Sequence, residues 1–358
     1  MTDPDRFDIT LLHGLEDQEE SPAIDRSVFL RPYNSNSVGL YRWVSDAKNW
    51  LKAHHTEFDV LHGLLGFHCT MAPAHYADTV LGLPAAIFIA NHTVDLGSKR
   101  GLKSILRLPQ RRQKMAREVS NVIGMSTEIR EELRGYGLDE HRISPIPMGV
   151  NLNRFKPASP EDRASLRDRF GLKQSKTIAF SGTLCDRKMP HLIVEALAKA
   201  NTDGKDWRVL FAGPEPENEY NKKTRELAQR LGVMDRIHWI GFTRAIEDVY
   251  AAADVYCLPS TNEGMPASVV EAMSTGLPSV ITNFSSAHDL IPSKEIGEIV
   301  DGNSDSVYKA LDGLLENPDR LLIASKAARA HALAHFEVGS VLDQYEELFR
   351  KMIAGRRG

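Results

Sequence analysis

The stretch that most constrains this chain lies between Asp254 and Phe284 and reads DVYCLPSTNEGMPASVVEAMSTGLPSVITNF. Val255 to Leu258 is a short apolar run, which reads as a buried strand stopped by Pro259. A polar loop follows from Ser260 to Gly264, and Pro266 suits the first position of a helix. The spacing predicts that helix over Ala267 to Thr275, with Gly276 as its stop and Ser279 to Thr282 as a second strand. Together these make one strand, helix, strand unit of a parallel sheet.

Ligands of such sheets sit outside the carboxyl ends of the strands, where a loop enters a helix whose first amides are electropositive. Glu263 falls on that loop and Glu271 in the first turns of the helix. On one continuous helix they would differ in height by more than about 10 Å. With Glu263 on the loop, both can face one crevice. Two carboxylates there accept hydrogen bonds from hydroxyls, while the amides of Gly264, Met265 and Ala267 can donate to an anion. A nucleotide sugar presents both, its hydroxyls flanking a diphosphate. The plainer alternative is two surface glutamates beside an ordinary strand-to-helix loop.

The string Glu263-Gly-Met-Pro-Ala-Ser-Val-Val-Glu271, with Pro259-Ser260 before it and Gly276-Leu277-Pro278 after it, resembles the Glu-x7-Glu signature of retaining glycosyltransferases of family four. The resemblance covers most of the chain, from Phe7 to Phe349. It implies the GT-B arrangement, an α/β fold of two Rossmann-like domains with parallel sheets facing each other across a cleft. A chain of 358 residues with 42% hydrophobic content is long enough for two such cores. A net charge of -4 argues against a general nucleic-acid binder. Cys69, Cys185 and Cys257 fit no metal spacing and suit a reducing compartment. No run of about 18 apolar residues exists, and the opening MTDPDRFD has no signal pattern. The expectation is a cytoplasmic protein that can touch the inner face of a membrane without crossing it.

Strands are expected at Phe7 to His13, Ser27 to Leu30, Phe58 to His62, Ala85 to Ala90 and Asn121 to Gly124. Helical patterns lie between them, notably Tyr41 to His54 with Trp43, Val44, Ala47 and Leu51 on one side. Members of the family begin with a strand and a glycine-rich loop before a segment like FDITLLH. No such pair precedes Phe7, so the chain reads as starting at the second strand. After the strand AAIFIA comes Asn91-His92-Thr93, where His92 matches the family's active-site histidine, beside the reacting carbon of the sugar. Lys99 to Arg117 carries Lys99, Arg100, Lys103, Arg107, Arg111, Arg112, Lys114 and Arg117 with no acidic residue. Such a segment can meet an anionic membrane or a phosphorylated acceptor; a solvated face is the alternative. His62, His68 and His75 read as structural.

Pro147-Met-Gly-Val-Asn151 resembles the family's hinge, which places an acceptor-side domain at 1–155, a donor domain at 156–336 and a crossing-back helix at 337–358. In the donor domain the strand Lys176 to Ser181 runs into Gly182-Thr183-Leu184-Cys185-Asp186-Arg187-Lys188. Lys188 stands where the family has a diphosphate-binding lysine. Thr183 occupies the place of its partner arginine, and Arg187 is the nearby substitute. Two cations on a leaving diphosphate replace a metal, so neither metal nor cofactor is expected.

The resemblance thus implies a retaining glycosyltransferase of hexosyltransferase type. His92 and Glu263 are its catalytic candidates. Gly182, Thr183, Arg187, Lys188, Glu263, Gly264, Met265, Pro266, Ala267 and Glu271 form the donor site, with Glu271 on ribose and Glu263 on the sugar. The acceptor is a glycan, a lipid-linked sugar or a small molecule. Two alternatives stay open: a non-catalytic nucleotide-sugar binder, suggested by the missing first strand and by Thr183, and a nucleotide-sugar epimerase on the same fold.

Overall fold

Apolar strands alternating with helices assemble into two units in the computed structural model, which describes residues 6–13, 24–30, 37–64, 68–89 and 108–356. One unit comprises residues 1–147 with 339–358, and the other residues 148–338. His92, Lys99, Arg100, Lys103 and Arg107 lie outside the described residues.

The first unit holds β1 (Thr10–His13), β2 (Arg26–Phe29), β3 (Leu61–Leu64), β4 (Ala85–Ile89), β5 (Asn121–Gly124) and β6 (Ile143–Ser144). Strands β3 to β6 form a parallel sheet in sequence order, and β1 pairs with β2 separately. The strand expected from Phe58 starts later: a 3-10 turn at His55–Glu57 ends at Phe58, residues 58–60 are irregular, and Leu61 is the first paired residue. Ser126 caps the helix Thr127–Gly135 by accepting from the amide of Ile129, and Gly137 leaves it at φ 80°. The final helix, Val338–Arg356, belongs to this unit beyond its first residue. Its Val341 and Leu348 are buried with Ala86, Ile123 and Ile146. His62 sits within about 6.4 Å of Phe88 and nearer still to Tyr345 and Phe349. Burial there lowers its pKa to about 4.

The second unit holds β7 (Lys176–Ser181), β8 (Trp207–Ala212), β9 (Ile237–Gly241), β10 (Val255–Leu258), β11 (Ser279–Thr282) and β12 (Gly297–Val300). All six strands are parallel in the order β12-β11-β10-β7-β8-β9. The chain builds outward from β7 to β9, then returns to the middle and builds the other way from β10. The order therefore reverses between β7 and β10, where Val255 pairs with Ile178 and Tyr256 with Ala179. A crevice opens at such a reversal because the loops after the two strands leave to opposite faces.

Three helices of this unit leave no clear mark in the sequence, one of them the single turn Ala287–Leu290. Pro190–Thr202 buries Pro190, Leu192, Ile193, Val194, Ala196, Leu197 and Ala200, so its apolar residues surround much of the axis and no clear stripe remains. Ile246–Ala252 is short and likewise buried, through Val249, Tyr250 and Ala252. Pro266, expected as the first helical residue, is extended at φ -70° and ψ 117° and forms the cap of Ala267–Ser274. The segment after the hinge packs with the second unit, where Phe155 is buried against Tyr250.

Candidate functional site

At the carboxyl end of β7 the backbone must turn sharply, and glycine makes this possible. Gly182 has φ 125°, and a Cβ there would lie 2.9 Å from the Lys188 ammonium. Gly213, at φ 140° after β8, lies so close to the Gly182 carbonyl that a side chain would run into it. Beyond Gly182 the chain reaches a 3-10 turn at Asp186–Lys188, and Met189 at φ 44° redirects it into the helix that follows. These bends lay the Lys188 side chain over Gly182, leaving 11% of it exposed.

The loop after β10 is tied to this turn. Ser260 and Thr261 both bond the Arg187 carbonyl, the Thr261 amide at 2.8 Å and the Ser260 hydroxyl at 3.1 Å. The Arg187 guanidinium donates in return to the Asn262 carbonyl at 2.5 Å. Glu263 is thereby drawn between the two cations. Its Oε1 lies 2.5 Å from Arg187 Nη1 and 3.1 Å from Lys188 Nζ, with 13% of the side chain exposed. A charge this enclosed is tolerated only with close counter-charges.

Glu271 is held differently. It accepts a hydrogen bond from the Tyr250 hydroxyl at 3.0 Å, and Tyr250 shares Ser181 Oγ at 2.7 Å with Tyr256 at 3.2 Å. Burial raises the pKa of Glu271, with the Tyr250 bond and the Arg154 charge working against that rise. Burial also pushes the Tyr250 hydroxyl well above its ordinary range, so it stays protonated and donates. The helix carrying Glu271, Ala267–Ser274, has no side-chain cap on its first turn. The arrangement offers two cations and an uncapped helix start to an anion, beside two carboxylates for hydroxyls.

Of the expected site residues, the structure brings Gly182, Arg187, Lys188, Glu263 and Glu271 to the reversal point. Thr183 is exposed at the turn and supplies no charge. Gly264, Met265 and Pro266 are buried, and the Met265 sulfur accepts from the Met148 amide, so they have only backbone to present; Ala267 is partly exposed. Among the basic residues, Arg111 is exposed on the helix Leu108–Glu118, whereas Arg112 is buried at 8% exposure. Arg112 therefore drops out of the charged face, because it falls on the inward side of its helix. Tyr250, Ser181 and Tyr256 went unnoticed in the sequence; the repeated Val-Tyr pairs at 249–250 and 255–256 were the available signal. A groove of about 840 Å³ in the first unit lies beside the amino ends of β4 and β5, among them Pro84, Ser120 and Asn121, opposite the carboxyl edge where ligands of such sheets usually sit. Among the described residues no helix is long and apolar enough to cross a membrane.

Parallel sheets and the strand reversal define a doubly wound α/β protein, and its structural neighbours are GT-B glycosyltransferases. The family described as Glycosyltransferase Family 4 matches residues 6–154, and Glycosyl transferases group 1 matches residues 162–331. The chain belongs to this group 1, family four class of glycosyltransferases. It is 28% identical over 240 residues to the D-inositol 3-phosphate glycosyltransferase of Corynebacterium urealyticum, covering 64% of this chain and 56% of that protein. It is 29% identical over 228 residues to the UDP-Gal:alpha-D-GlcNAc-diphosphoundecaprenol alpha-1,3-galactosyltransferase of Escherichia coli, covering 61% and 57%. The matched segments thus span little more than half of these relatives. HepE of Anabaena, crystallised with UDP, superposes with a TM-score of 0.78 over 91% of this chain and 86% of its own at 21% identity.

Proposed function

We propose that this protein transfers a sugar from a nucleotide diphosphate donor to a hydroxyl acceptor with retention of anomeric configuration. The observation that carries the reading is the pairing of Lys188 and Arg187 around Glu263 at the strand reversal, three loop residues before the uncapped helix that holds Glu271. Lys188 and Arg187 neutralise the leaving diphosphate, and the amides of Ala267 and its neighbours add partial positive charge. Glu271, set by Tyr250, accepts from the ribose, and Glu263 accepts from the transferred sugar. Charge develops on the diphosphate as the glycosidic bond breaks, so groups that stabilise that charge lower the barrier without a metal or cofactor. The departing phosphate oxygen removes the acceptor proton on the same face of the sugar, which accounts for retention. His92 supports the reacting carbon.

Calorimetric titration with UDP, GDP and ADP, and with their glucose conjugates, tests the donor site in the wild type and in Glu271→Ala. One nucleotide is expected to bind selectively and to lose its affinity in the variant; absence of binding by all three overturns the reading. The exposed Thr183, where a second cation would stand, favours donor binding without turnover as the rival. Hydrolysis or transfer of the bound sugar, followed by NMR of the product anomer, separates the two.

A further inference from the structure

We propose that Glu263 is an internal stand-in for the donor diphosphate, and that Arg187 is the second cation handed over with Lys188 when the donor binds. The inference rests on the donor-site reading and adds how that site changes charge partners. Three observations carry it. Glu263 Oε1 is shared by both cations, at 2.5 Å from Arg187 and 3.1 Å from Lys188, so one carboxylate oxygen sits where an anion would meet the pair. Lys188 is confined, its side chain 11% exposed and laid over Gly182, so it can exchange its anion without moving far. Arg187 is half-exposed at 47%, yet its backbone is pinned by Ser260 and Thr261, which fixes the reach of its guanidinium toward the same point. Thr183 brings no charge, so Arg187 is the cation of this loop that complements Lys188.

A nearly buried ammonium without a counter-ion is costly, so the donor-free site needs an anion of its own. The diphosphate brings more negative charge than a single carboxylate and takes both cations. Glu263, released, becomes an acceptor for hydroxyls of the sugar. Bare and sugar-bearing nucleotides therefore read the residue with opposite sign. For the bare nucleotide Glu263 is a competitor to be displaced; for the sugar nucleotide it is displaced and then re-employed.

Inorganic pyrophosphate, which has neither base nor sugar, probes the cation pair alone. Glu263→Gln is expected to bind it ~10-fold tighter than the wild type, a gain typical of one charge-assisted hydrogen bond. Arg187→Gln is expected to weaken binding, and in the Glu263→Gln background to remove most of the gain. In the same variants, Glu263→Gln should tighten the nucleoside diphosphate that the wild type binds while weakening its glucose conjugate. Unchanged or weaker pyrophosphate binding by Glu263→Gln, with nucleotide binding intact, sinks the exchange and leaves the donor site standing. Absence of nucleotide binding in the wild type sinks both. Should Glu263→Gln fold poorly, Arg187→Gln alone decides: it sits on a half-exposed side chain, and pyrophosphate affinity equal to the wild type would remove Arg187 from the site.

Discussion

The two units are both built on parallel sheets, yet His62 in one and the Glu263 and Glu271 carboxylates in the other are enclosed in opposite ways. In the first unit the described sheet runs β3 to β6 in sequence order with no reversal, and its enclosed imidazole, His62, faces aromatic rings. Among the described residues nothing there offsets a charge, and burial lowers the pKa of the ring to about 4, which keeps it neutral. In the second unit the order reverses, and the enclosed groups at that point are charges matched by charges, Lys188 and Arg187 on Glu263, or a carboxylate met by a hydroxyl, Tyr250 on Glu271. A sheet without a reversal can close its loops over apolar packing, whereas a reversal leaves a crevice that polar side chains must line. The difference is one of topology before it is one of composition.

The two units should respond most differently to a change at Gly213. Gly213→Ala is expected to destabilise by ~3 kcal/mol or more, because φ 140° is closed to a side chain and the new Cβ meets the Gly182 carbonyl. Peptide-resolved hydrogen exchange should show the loss of protection in residues 148–338 and not in β3 to β6. Equal loss in both would mean that the units do not respond separately. Next in size, Glu271→Ala should weaken donor binding by roughly 10- to 100-fold, the worth of a charged hydrogen bond to a hydroxyl. Tyr250→Phe should reproduce part of it, since the carboxylate then loses its donor and its orientation; titration of the selected nucleotide reads both.

Acidification should move the two units in opposite directions. For His62 the folded pKa, about 4, lies below the unfolded value of 6.5, so the unfolded chain takes up the proton first. Stability from this group is complete above pH 6.5 and is lost as pH falls toward 4. For Glu271 the folded pKa is raised above 4.5, so its contribution is present at acid pH and is lost as pH rises through that window. Exchange protection corrected for intrinsic rates, compared between pH 7 and pH 5, should fall around β3 and hold or rise around Ala267–Ser274. His62→Phe should flatten the first trend, and a slope that persists would assign it to another group. The smallest effect concerns the basic helix Leu108–Glu118. Replacing Arg111 or Lys114, both exposed, singly by Gln should lower co-sedimentation with anionic vesicles about 5-fold each, at about 1 kcal/mol per charge. No change would leave these residues as a solvated face.

Much of the second unit was legible because its strands are short, apolar and bounded by turn residues. Lys176–Ser181, Val255–Leu258 and Ser279–Thr282 stand at the residues the sequence marks. Glu263 and Glu271 were visible for the same reason, one on a polar loop and the other on a helix that Gly276 ends. The 190–202 helix was not legible, because a helix buried nearly all round loses the periodicity that reveals it. Nor was Arg112, since a basic run gives no sign of which member turns inward.

By itself the sequence determined the alternation of strand and helix, the parallel class of sheet and the residue types at the crevice, since these depend on local pattern and on groups a few positions apart. Only the tertiary structure decided that Glu263 lies between Arg187 and Lys188, and that Tyr250, Ser181 and Tyr256 stand behind Glu271. Tyr250 is 21 positions from Glu271, and Ser181 is 69 and 75 positions from Tyr250 and Tyr256; Ser181 and Tyr256 meet because β7 and β10 are neighbours in the sheet. Sequence separation carries no trace of that adjacency. It arises from strand order, which is fixed by the packing of the whole unit.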